Sequence, residues 1–291
     1  EAEDGRRFGF HLTIFRRGLP RGERADSELA ADELYLGHFA IADGRGERVH
    51  AHERTARGAG GLAGATLEGD DLRVWLEDWE FAGRVGDDGF ELQLSARSGQ
   101  DALALELSTT RPPVLQGDAG LSRKGPGDGQ ASYYYAMPRL EAAGQVRVDG
   151  EAFDVRGSAW LDREWSTSAL GEAQVGWDWF ALQLADGTDL MLYQMRLSDG
   201  GVDDTSHGSI TTADGAHRKL ERDEYRIEAL ETWTSPRSGG RYPSRWRVSV
   251  PAAALELQVQ PLFADQELPF AVVYWEGAVR VRGTRAGEAV E

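Results

Sequence analysis

The stretch GSAWLDREWSTSALGEAQVGWDWFALQLADGTDLMLYQMR, residues 157–196, holds four of the chain's nine Trp residues and ends in an Asp-Gly turn followed by an apolar run. Asp-Gly between alternating segments is a strong hairpin signal, because a type I′ turn needs positive φ at both central residues. The segment therefore reads as two strands, GWDWFALQL and LMLYQMR, joined at Asp186-Gly187. The same turn chemistry recurs at 4–5, 43–44, 88–89, 128–129, 149–150, 199–200 and 214–215, in a chain with 36 Gly. Alternating runs such as FELQLSAR (90–97), ALALELSTT (102–110), RWRVSV (245–250) and LELQVQPLF (255–263) lie between turns. The chain is predicted to be mostly β. Two segments carry helix signals: 24–41, with Ser27 as a candidate N-cap before a strand, and LERDEYRIEALETW (220–233), whose composition favours helix and whose neighbours favour strand.

The pattern repeats. EDGRRFGFHLTIFR (3–16) parallels ADGTDLMLYQMR (185–196), HFAIADGRGER (38–48) parallels HGSITTADGAHR (207–218), and YYYAMPRLEAAGQVRVDG (133–150) parallels VVYWEGAVRVRG (272–283), in the same order. This predicts two β-domains by duplication, 1–168 and 169–291. A strong strand precedes the second copy's first turn and almost nothing precedes the first copy's, so a strand is expected to be missing at each end.

Composition narrows the function. The 291 residues carry 49 acidic and 32 basic groups, a net charge of −17, which disfavours nucleic acid and anionic membranes as partners. Cysteine is absent, which removes disulfides, thiolate metal sites and a Cys nucleophile. There is no phosphate-loop pattern and no Gly-x-Ser-x-Gly elbow. The Pro/Gly-rich stretch 111–130 has the length of a lid or pocket entrance. No signal peptide or initiating Met is present, so the chain reads as processed or trimmed.

On a strand, Ser158, Trp160, Asp162 and Glu164 share one face, with the two carboxylate-bearing Cα atoms about 6.5–7 Å apart. If that face lines a pocket, burial and mutual repulsion raise a carboxyl pKa and make one group a general acid. Trp177 and Trp179 share a face and offer a π-rich wall for a hydrocarbon or a cation. The bland alternative makes these packing aromatics, with the carboxylates paired to arginines. Arg196 is read first as the buried partner of Asp162, Glu164 or Asp178. His50 and His52 form a His-x-His pair without a clear third ligand, so they are read as rim or surface histidines and no metal is expected. His11 falls on the less apolar face of its strand.

GSAWLDREW followed by GWDWFALQL, together with RRFGFHLTIFRR, LYLGHFAIADGRGERVHAHERTARGAGGLAGA and SYYYAMPRL, resembles the carotenoid 1,2-hydratase (hydroxyneurosporene synthase) and AttH-like family, closer to the AttH-like branch. The resemblance implies an all-β fold of two lipocalin-like antiparallel barrels, an apolar isoprenoid or lipid ligand, and an exported protein. In the hydratases an aromatic-x-Asp element supplies the acid, which maps here to Trp160-x-Asp162. A His-x-Trp element maps to Tyr133-x-Tyr135, so that histidine is absent, and Trp160 stands where the hydratases tend to have Tyr. The resemblance also brings His38 to the pocket. The candidate site is thus Asp162 and Glu164 for catalysis, with Trp160, Tyr133, Tyr135, Trp177, Trp179, His38 and Arg196 around a lipophilic small molecule, and no cofactor. Two functions stay open: an enzyme that hydrates, isomerises or cyclises an alkene, and a non-catalytic lipophile carrier. An Asp162 facing an apolar cavity beside Trp160 favours the first; one locked to Arg196 favours the second.

Overall fold

The computed structural model describes residues 1–19, 30–86, 89–125, 127, 129–166 and 171–291. Among them, regular structure is antiparallel strand throughout, apart from a 3-10 turn at Pro251–Ala253. The chain folds into two curled-sheet, lipocalin-like units. In the first, Phe8–Gly18, Glu33–Asp43 and Arg48–Arg57 form one sheet. A second, nine-stranded sheet runs by successive hairpins from Ala63–Glu68 to Asp101–Thr109 and ends in a long hairpin, Ala131–Val148 with Glu151–Ser166. The alternation read from sequence is realised: Leu92, Leu94 and Ala96 are buried on one strand and Leu103, Leu105 and Leu107 on the next. They pack with Phe39, Ile41, Leu76 and Trp79 from the facing elements.

The second unit repeats the opening three-strand order as Asp189–Leu197, Gly208–Thr211 and His217–Leu220, flanked by Gln174–Gln183. A five-stranded sheet follows, from Arg226–Thr234 to Val279–Arg285 and Glu288–Val290. The last pair is joined by Ala286-Gly287, both at positive φ, so the second copy does finish with a short strand. The ambiguous segment 220–233 resolves as strand, since Arg226–Thr234 pairs along Arg241–Val250. Within 24–41 the strand starts at Glu33; Ser27 and the 168/169 boundary lie outside the described residues.

One turn expectation is corrected. Of the described Asp-Gly pairs, only Asp149-Gly150 has both residues at positive φ, 50° and 84°. At 186–187, 199–200 and 214–215 only the glycine does. There the Asp carboxylate accepts a bond from the backbone N–H two residues on, as in Thr188 N to Asp186 Oδ1 at 2.9 Å and Gly201 N to Asp199 Oδ1 at 2.8 Å. These are Asx turns, for which Asp keeps ordinary φ.

The long hairpin serves both units. Its ladder shifts register between Met137 and Leu140, where Pro138 cannot donate a ladder bond. Gln183 from the second unit donates to the carbonyls of Pro138 (2.6 Å) and Ala159 (2.9 Å). Arg139 reaches across to Asp189 Oδ1 at 2.7 Å, and Arg111 approaches Asp189 Oδ2 at 3.1 Å. Asp189 is 1% exposed at its side chain, so its charge depends on the two guanidiniums from the first unit. Truncating one partner of a buried pair leaves uncompensated charge, and Asp189→Ala is expected to lower unfolding free energy by about 3–5 kcal/mol in urea denaturation.

Candidate functional site

The two faces of Glu151–Ser166 have different neighbours. Ala159 and Leu161 pack into the first unit's core. Trp160 points the other way, onto Met191, Tyr193 and Met195 of the second unit, together with Tyr134 and Ala136 of the paired strand. Asp162 and Glu164 follow Trp160 on that face, opposite Ala136 and Tyr134 respectively.

Asp162 is exposed to the cavity that it helps to line, with protein packed densely around that opening. Burial pushes its carboxyl up to about 6; repulsion from Glu164 adds to that, and two hydrogen bonds oppose it. The Tyr134 hydroxyl donates to Oδ1 at 2.8 Å and the Trp160 indole N–H donates to the same atom at 2.9 Å. With Oδ1 occupied by two donors, the acid form carries its proton on Oδ2. Burial and the Asp162 charge raise the Tyr134 phenol well above its ordinary value, so it remains a donor.

Glu164 is held differently. The Lys124 ammonium lies 2.8 Å from its Oε1 and the Ser132 hydroxyl donates to the same oxygen. Lys124 also sits over the ring of Tyr193, 4.7 Å from its centroid, and at 5.6 Å from that of Tyr134. The stretch 111–130 supplies this lysine and lays two short strands, Val114–Leu115 and Leu121–Arg123, against Ala131–Val148. Those described parts form wall; they do not form a separate lid.

The cavity measures about 2520 Å³, well beyond the roughly 300–1,000 Å³ of an ordinary small-molecule pocket. Trp177 and Trp179 line it beside Asp162, and Trp179 meets Trp160 edge-to-face at 6.4 Å. Both faces of residues 158–166 contribute to the lining, so the space passes around this edge strand into the first barrel, among Phe10, Leu12, Phe81 and Phe90.

Other expected residues fall elsewhere. Tyr133 and Tyr135 lie on the strand face opposite Asp162, where both pack against Trp165. Tyr135 reaches the barrel side of the cavity, while Tyr133 is not among its lining residues. The residue at Asp162 is Tyr134, which the family pattern did not single out. Arg196 pairs with Asp178, Nε to Oδ2 at 3.7 Å, and leaves Asp162 unlocked. His38 is buried outside the cavity: its Nδ1 meets the Tyr274 hydroxyl at 2.8 Å, its Nε2 meets Glu53 at 3.2 Å, and its ring stacks on Phe270. Burial lowers its pKa. His50 is not a surface residue either; it is 6% exposed. Lys124 and Ser132 are additions that sequence spacing did not reveal.

Two outcomes follow from the raised Asp162 carboxyl. The folded state holds this proton more tightly than the unfolded chain, so the native protein loses stability as pH rises from about 4 through 6. Asp162→Asn is expected to melt higher than the wild type at pH 8, with the gain vanishing below pH 4, as read by thermal denaturation. Tyr134→Phe removes one donor to the ionised form and should move the Asp162 titration upward by about one to two pH units, as followed by carboxyl infrared absorption.

The profile of the AttH-like family matches residues 1–290. Among solved structures, an AttH protein from Nitrosomonas europaea is 35% identical, with a TM-score of 0.85 and coverage of 100% of this chain and 86% of its own. Kievitone hydratase from Nectria haematococca is 15% identical, with a TM-score of 0.74 over 99% of this chain and 82% of its own, a likeness of fold. No curated protein matches the sequence. Sequence profile and three-dimensional likeness agree, and the chain belongs to the AttH-like family.

Proposed function

We propose that this protein is an acid catalyst that adds water across a carbon–carbon double bond of an apolar, isoprenoid-like molecule. The observation that carries this reading is Asp162, a carboxyl facing the cavity, poised near pH 6 and paired to no arginine among the described residues. Its likeness in fold to a hydratase supports the same direction.

In the proposed step, the proton on Asp162 Oδ2 passes to one alkene carbon. The π pair forms the new C–H bond and leaves a carbocation on the neighbouring carbon. The indole faces of Trp160, Trp177 and Trp179 stabilise that charge, which is greatest in the transition state. Water adds to the cation, and the resulting oxonium returns a proton to Asp162, which restores the acid. Glu164 stands beside it as a second acceptor, held in place by Lys124 and Ser132. The cation can also lose a different proton, so the same groups serve double-bond isomerisation. The cavity's volume fits a bulky lipophile and so also suits a carrier; turnover separates the two readings.

The test is hydration of polyprenyl alkenes in the presence of heavy-oxygen water, followed by mass spectrometry. Asp162→Asn is expected to reduce turnover about 10²–10⁴-fold, the usual contribution of a positioned acid. Wild-type kcat should fall about tenfold per pH unit above pH 6 as the acid form is lost. Undiminished turnover in Asp162→Asn would refute the assignment. Stoichiometric ligand binding with no turnover in the wild type would favour the carrier.

A further inference from the structure

A second cluster of titratable groups lies at the other end of the first barrel. The cavity opens past Val85, Gly86, Gly89 and Phe90 at one end of the strands there. The opposite ends of those strands carry the turn before Asp101 and the Asp149-Gly150 turn of the long hairpin. His50, on Arg48–Arg57, points between them. Its side chain is 4% exposed, and among the described residues it makes no hydrogen bond. Instead its Nδ1 lies 3.2 Å from Asp101 Oδ1 and 3.9 Å from Asp149 Oδ1.

These three donor atoms come from separate chain segments and all fall within 4.8 Å of one another. Around a tetrahedral zinc with bonds of about 2.0–2.1 Å, neighbouring donors stand about 3.3 Å apart. The His50–Asp101 separation matches that spacing, and the His50–Asp149 separation is about 0.6 Å wider, within reach of a side-chain rotation at the exposed Asp149. Asp101 Oδ1 already accepts the Asp149 backbone N–H at 3.0 Å, which ties the two turns together, and the other carboxylate oxygens are held from behind. His52 Nε2 meets Asp101 Oδ2 at 2.8 Å, and Arg48 lies 3.5 Å from Asp149 Oδ2. Such outer contacts orient carboxylates toward a metal. One neutral imidazole and two carboxylates cancel the charge of a dication. The nitrogen donor favours a transition metal of the zinc class over calcium or magnesium, which take oxygen ligands.

We propose that His50 Nδ1, Asp101 Oδ1 and Asp149 Oδ1 bind one zinc-class divalent cation, with water completing the coordination. The ion ties the strand Arg48–Arg57 to two hairpin turns and fastens the closed end of the barrel. It stands apart from Asp162 and takes no part in the chemistry there.

The test uses the full chain, stripped with a chelator and dialysed, then titrated with Zn²⁺ in a calorimeter. One equivalent should bind with micromolar or tighter affinity, and zinc should raise Tm. Asp149→Asn keeps the turn, because Asn-Gly favours the same positive φ, and is expected to weaken binding at least tenfold and to abolish most of the Tm gain. His50→Gln should do the same. If His50→Gln does not fold, Asp149→Asn decides alone, since Asp149 is an exposed turn residue. Asp162→Asn should bind zinc as the wild type does. Sub-stoichiometric binding, or binding unchanged in Asp149→Asn, would overturn the proposal and leave an ion pair among these residues.

Discussion

The constraint on which this molecule depends is that one strand hairpin has two interiors to serve. Ala131–Val148 and Glu151–Ser166 present alternate residues to the first unit's core and to the second unit. A strand can do this because its side chains alternate at a period of two. Trp160 and Asp162 therefore sit on the outer face of one barrel and on the inner face of the junction. The carboxyl is crowded by protein from both units while it faces the cavity, and neither unit alone accounts for its surroundings.

Much of this was legible. Period-two alternation, the turns and the repeat indicated duplicated β-units, and alternation placed Trp160, Asp162 and Glu164 together. What escaped was the phase of the paired strand. Counting back from the Asp149-Gly150 turn, Leu140 faces Ala159. An unbroken ladder would set Asp162 opposite Met137 and bring Tyr135 to its face. The bulge sets Ala136 opposite Asp162 instead, and Tyr134 becomes the partner. Pro138 in mid-strand was the available signal, since proline within a sheet marks a bulge or an edge. Lys124 could not be read in advance. It comes from an irregular Pro/Gly-rich stretch, and no periodicity fixes where such a segment delivers a side chain.

The histidines escaped for a related reason. The resemblance brought His38 to the pocket and His50 was read as a rim or surface residue, whereas both are buried, largely by segments distant in sequence. His38 is covered by Phe270 and Tyr274 of the ribbon formed by Glu267–Pro269 and Val273–Trp275. His50 is enclosed by two hairpin turns. A histidine's role depends on what reaches its two ring nitrogens, and here those partners are between 15 and 236 residues away.

The clamp on Asp189 bears on the order in which the molecule acquires its properties. During synthesis the first unit emerges before Met191, Tyr193 and Met195, which cover the Trp160 face, and before the Asp189 that Arg139 and Arg111 await. Until they arrive, Asp162 is an edge-strand carboxylate open to water, with the acidity of any solvated aspartate. Docking of the second unit crowds that carboxylate with protein and leaves it facing the cavity. The nascent chain thus holds Asp162 as a carboxylate at neutral pH, and the protonated form becomes populated only once the second unit packs around it.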